Sequence, residues 1–168
     1  TLCADGVAQR IDGSDVPRRI GARADFGHAL RAANFLELQR LVLHGQLVAA
    51  FNQIRQQTNV SDLVLDLRYN GGGFLYIASQ VGYMIAGDAR TSGRTFERLQ
   101  FNDKRVAETN DPNNNTPFFG TTSGFAGSGT TANTPLPQLN LSRVFVLAGP
   151  GTCSASESII NSLQGVDV

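Results

Sequence analysis

Two short apolar runs, each broken by a glycine-rich turn that opens a helical pattern, constrain this chain more than any other feature. The first is Leu63-Val64-Leu65-Asp66-Leu67, which stops at Asn70-Gly71-Gly72-Gly73. From Phe74 to Ala86 the residues Leu75, Ala78, Gly82 and Ile85 then recur at helical spacing, and Gly87 is a natural stop. The second is Arg143-Val144-Phe145-Val146-Leu147-Ala148, which stops at Gly149-Pro150-Gly151. There Ile159, Ile160 and Leu163 continue at helical spacing, with Gly165 as the stop. Continuous apolar runs of this length predict buried strands. Ahead of the first, Leu47, Phe51 and Ile54 share one face of a helix expected over Gln46 to Gln57. Helix, strand, glycine turn and helix in that order predict an α/β fold, with buried strands alternating with helices.

The rest of the chain is less patterned. Thr95 to Phe101 alternates and reads as a further strand. The stretch 103–140 reads as a loop-rich insertion, with Asn113-Asn114-Asn115, Gly127-Ser128-Gly129 and prolines at 112, 117 and 135. Phe118, Phe119 and Phe125 give it the means to pack as a flap. Residues 1–45 are rich in Arg, Ala and Leu without a clean period, and a helix over Ala29 to Leu43 is the only element they suggest.

Composition removes several classes of function. A chain of 168 residues suits one domain, and 14 basic against 14 acidic side chains offer no field for a nucleic-acid partner. No apolar run approaches the roughly 18 residues of a membrane span. Cys3 and Cys153 make neither a metal knuckle nor a disulfide scaffold, and Cys153 is expected to be a small buried packing residue. The Asn70–Gly73 turn matches neither a phosphate loop nor the dinucleotide fingerprint, and no metal or cofactor is called for. Among the basic residues only Lys104 is a lysine, and the histidines are His28 and His44. The chain begins at Thr1 and is expected to be a piece of a longer one.

In open α/β sheets ligands gather beyond the carboxyl ends of the strands, which is where both turns lie. A serine opening a helix, as Ser154 would, stands beside backbone N–H groups that can hold an oxyanion. The same spacing, Ser154 with Glu157 three residues on, is also the capping box of ordinary helices, and spacing alone favours the cap. The triple glycine can point amides into a cleft, or be only a tight connection.

Asp62-Leu-Val-Leu-Asp-Leu-Arg-Tyr-Asn-Gly-Gly-Gly73, followed by Val144-Phe-Val-Leu and Thr152-Cys-Ser-Ala-Ser-Glu157, resembles the tail-specific, or C-terminal processing, serine peptidases. The match runs from about Gln46 to Val168 and implies a truncated crotonase-like α/β core. Residues 1–45 stay unassigned, out of register with the family. The resemblance makes Ser154 the nucleophile, with the Ala155 amide and that of Gly73, or alternatively Gly72, forming the oxyanion hole. Asp66 and Arg68 fall on the family's Asp-Leu-Arg segment and are read as bracing the turn, while Glu157 keeps its capping role.

The family's general base is a lysine on the strand and turn after the nucleophile helix, so it is expected downstream of Val168. Lys104 lies in a polar charged stretch and is no substitute. The full-length protein is therefore expected to be a serine endopeptidase acting on polypeptides, and the chain as given to be inactive. The alternative is a non-catalytic ligand- or peptide-binding domain on the same fold, and a histidine-based hydrolase ranks last. The family resemblance places such a protein in the periplasm or cell envelope.

Overall fold

The structure, a computed structural model, describes residues 42–124 and 128–168. Helix α1 (Val42–Arg55) leads to strand β1 (Leu63–Asp66), helix α2 (Leu75–Ala86) and the single turn α3 (Asp88–Thr91). Strand β2 (Thr95–Arg98), the short helix α4 (Val106–Thr109) and strand β3 (Asn115–Pro117) follow. Strand β4 (Val144–Leu147) and helix α5 (Ala155–Gln164) complete the order. β1 and β4 pair in parallel from Leu63 opposite Val144 to Asp66 opposite Leu147. β2 and β3 form a separate antiparallel pair.

The β1–β4 pairing explains why both glycine turns share one end of the molecule. Parallel strands in register send their carboxyl ends the same way, and each ends in a turn that starts a helix. The two helices so launched, α2 and α5, pack together over one face of the strand pair. Leu65 and Leu67 meet Ile77, Val81, Met84, Ile159 and Leu163 in the core. Phe51 and Ile54 of α1 complete it, on the helical face their spacing predicts.

Four expectations need correction. The first helix begins at Val42, so residues assigned to a helix over 29–43 belong to α1 at its end; the rest of that proposed helix lies outside the described residues. β4 is not buried on both faces: Val144 and Val146 pack on the core, while Phe145 and Leu147 stay about half exposed, because α2 and α5 cover only one side. β2 stops at Arg98, short of the expected Phe101. Within 103–140 lies β3, whose Asn-Thr-Pro sequence carries no alternation and which is held by pairing with β2.

That stretch is also bound to α2 along its length. Ser79 Oγ donates to the Pro117 carbonyl at 2.7 Å and accepts the Phe119 N–H at 2.9 Å. Phe118 reaches α2 at Gly82, where an added methyl group would crowd its ring at 3.0 Å. The N–H groups of Leu139 and Leu141 satisfy the Met84 and Ile85 carbonyls, which a helix end otherwise leaves unpaired. Phe125 lies outside the described residues.

Candidate active site

The two turns meet through a small set of hydrogen bonds. Thr152 Oγ1 donates to the Leu67 carbonyl just past β1 at 2.7 Å and accepts the Gly149 N–H just past β4 at 2.9 Å. One hydroxyl thus ties both strand ends together. The Asn70 carbonyl accepts the Cys153 N–H at 3.3 Å and the Ser156 hydroxyl at 3.1 Å. Asn70 Oδ1 accepts the Gly72 N–H at 3.3 Å, an Asx turn that folds the chain toward Ser154.

Gly72 then presses directly on Ser154. Its φ of +124° is one that L side chains avoid. A methyl group placed on it would lie 2.9 Å from Ser154 Cβ and 3.2 Å from Oγ. Residues 82 positions apart in sequence thus come so close that an added methyl group finds no room between them.

Ser154 is exposed and has φ 54° and ψ −121°, a conformation that costs a non-glycine residue about 1–3 kcal/mol. It precedes α5, and its own N–H donates to Glu157 Oε2 at 2.9 Å. Glu157 therefore satisfies one of the orphan donors of the helix start. Ala155 is the first residue of α5 and is buried. Among the described residues neither the Gly73 N–H nor the Ala155 N–H has a partner, whereas the Gly72 N–H is taken by Asn70.

Asp66 and Arg68 pair with each other beside the first turn. Arg68 Nε donates to Asp66 Oδ1 at 2.9 Å and its second nitrogen to Oδ2 at 2.6 Å, while the Arg68 N–H adds a third bond at 3.1 Å. These bonds hold the Asp66 carboxyl below its ordinary range and raise the guanidinium. Cys153 is buried as expected of a packing residue, but it is disulfide-bonded, and Cys3 lies outside the described residues. Lys104 sits in an exposed turn over Asp103–Arg105. Asn70, Thr152 and Ser156, which stitch the two turns together, were not legible as site residues. The asparagine ahead of three glycines was the available signal.

His44 is fully buried on α1, with Nδ1 3.5 Å from Thr130 Oγ1, and a hydrogen bond joins it to Gln80. Desolvation lowers its pKa from 6.5, outweighing the Gln80 bond. The unfolded chain then takes up a proton at a pH where the folded one still resists it. Stability is complete above pH about 6.5 and falls as the pH drops from there through the folded-state value. Thermal melts at pH 7.5 and 5 are expected to show a lower midpoint in acid, and His44→Gln should shrink that difference. Equal shifts in both proteins would show that His44 does not carry the acid sensitivity.

The arrangement defines a class: an α/β protein whose exposed, strained serine opens a helix against a glycine turn. The profile of peptidase family S41 matches residues 30–168, upstream as well as downstream of Gln46. The chain belongs to peptidase family S41. No curated protein sequence matches it. A candidate S41 protease from Bacteroides fragilis NCTC 9343, known from a crystal structure at 2.00 Å, is similar at 33% identity with a TM-score of 0.48. The similarity covers 72% of this chain and 27% of that one, so the chain spans about a quarter of that protein's length. Among the described residues no helix is long and apolar enough to cross a membrane.

Proposed function

We propose that this chain carries the nucleophile and oxyanion hole of a serine endopeptidase built on a crotonase-like core. The close approach of Gly72 to Ser154 is the observation that supports this reading, because Gly73 follows Gly72 directly, Ala155 follows Ser154, and both of those amides are free among the described residues. Ser154 Oγ attacks the carbonyl carbon of an extended polypeptide, and the two amides hold the negative charge that forms on its oxygen. The serine proton passes to a general base and from it to the leaving amine. Water then hydrolyses the acyl-enzyme by the same route.

The base in this reading is a lysine supplied from outside residues 1–168, since Lys104 stands in an exposed turn. Tail-directed cleavage in the periplasm or cell envelope goes with it. The exposed position of Lys104 also favours a second reading, a binding domain on the same fold with Ser154 as a helix cap.

A fluorophosphonate probe separates the two on the full-length gene product. A nucleophilic Ser154 displaces fluoride and gains the phosphonyl mass, located by peptide mapping, and the labelled protein stops cleaving unfolded polypeptide. Cleavage that continues with Ser154 unmodified would remove Ser154 as the nucleophile, and a protein that neither labels nor cleaves would overturn the peptidase reading.

A further inference from the structure

We infer that Asn70 is the positioning residue of this site, holding the Gly72 amide so that Gly73 offers its N–H to the substrate oxygen. The inference rests on the peptidase reading and assigns a role to a side chain outside the nucleophile and the oxyanion donors.

Asn70 is 1% exposed and joins both turns at once. Its main-chain carbonyl receives the Cys153 N–H and the Ser156 hydroxyl, one residue before and two after Ser154. Its side-chain oxygen receives the Gly72 N–H, and Gly72 is the residue that touches Ser154. The orientation of the amide is determined by this bond, because exchanging oxygen and nitrogen would set two donors against each other. With the Gly72 N–H engaged, the next free amide on that turn is Gly73. The choice between the two glycines, open in the sequence, is made here by a side chain.

Asn70 Nδ2 is buried without a partner among the described residues. Leaving a buried donor unpaired is unfavourable, and that cost offsets part of what the Gly72 bond contributes to stability. An alanine would remove the orphaned Nδ2 but leave the buried Gly72 N–H unpaired, while the main-chain bonds to Cys153 and Ser156 would survive it. What alanine loses is the acceptor for Gly72.

The test compares Asn70→Ala and Asn70→Asp in the full-length gene product. Aspartate keeps the acceptor two residues before Gly72, whereas alanine removes it. The fluorophosphonate labelling rate of Ser154 is expected to fall about 100-fold in Asn70→Ala, the scale of a misplaced reacting group. KM for a peptide substrate should change little, and the protein should remain folded by circular dichroism. Asn70→Asp should recover the rate to within about tenfold of the parent, because the donor amides return to position. A folded Asn70→Ala that labels at the parent rate, or an Asn70→Asp no faster than the alanine variant, would overturn the inference. Amide hydrogen exchange at Gly72 gives a readout that needs no activity: faster exchange in Asn70→Ala is expected, and unchanged exchange also overturns it. If the parent protein fails to label, the peptidase reading falls, and the exchange result alone then decides whether Asn70 holds the turn.

Discussion

Ser154→Gly is expected to abolish the activity of the full-length protein while raising its stability. The activity loss follows from removing the nucleophile and should be on the order of 10⁴-fold or more. The stability gain follows from the backbone. At φ 54° and ψ −121° a residue with a Cβ is strained by about 1–3 kcal/mol, and glycine is not. A glycine cap gives back only a few tenths of a kcal/mol relative to serine. The Glu157 bond is made to the main-chain N–H of residue 154 and survives the change.

Ser154→Ala makes the comparison decisive. It keeps the strain and loses the hydroxyl, so it should be less stable than the parent by about 1 kcal/mol if the hydroxyl caps the helix. Urea denaturation of the three proteins, with labelling and peptide cleavage measured alongside, reads both effects. The expected order of stability is glycine, then serine, then alanine, with both variants inactive. A glycine variant less stable than the parent would mean that the hydroxyl matters chiefly as a cap. Retained cleavage in either variant would remove Ser154 from the chemistry.

Gly72→Ala is the second large effect, and it reaches the same serine from the other turn. The added methyl would lie 2.9 Å from Ser154 Cβ, closer than real Cβ contacts come. Neither partner can give easily, since Ser154 is fixed by α5 and Gly72 by Asn70. The φ of +124° adds strain of about 1–3 kcal/mol for any residue with a Cβ. Relief requires the two turns to part, which moves Gly73 away from Ser154. A displacement near 1 Å at a reacting centre costs about 100-fold in rate, so a loss of that size or greater is expected. Gly71→Ala is the control: its methyl would meet only the Gly151 carbonyl, at 3.9 Å, an ordinary contact. Labelling rates and urea midpoints that fall equally for both variants would show that the clash with Ser154 is not what matters.

Much of the scaffold was legible because it depends on neighbours in sequence. The apolar run at Leu63 and the spacing of Ile77's helix or of Ile159 and Leu163 report burial directly, and glycines mark where each element stops. Strands β1 and β4 and the helices after them fall where those signals lie. Legibility failed where burial is decided by what covers a face. Phe145 and Leu147 are as apolar as Val144 and Val146, yet they stay exposed, since α2 and α5 pack on one side of the strand pair only. β3 was missed for the opposite reason: Asn115-Thr116-Pro117 has no propensity of its own and is a strand because β2 is beside it.

The site divides the same way. Sequence alone determined that two glycine turns would each open a helix, that one would present a serine, and that Glu157 could satisfy its helix start, because each of these is a local backbone matter. Only the tertiary structure decided that the turns touch, that Ser154 is strained rather than merely a cap, and that Asn70 takes the Gly72 amide and leaves Gly73 free. Those outcomes depend on the parallel register of β1 with β4, which brings together residues more than 80 positions apart. No local pattern encodes that register, because its free energy comes from the shared core beneath both strands.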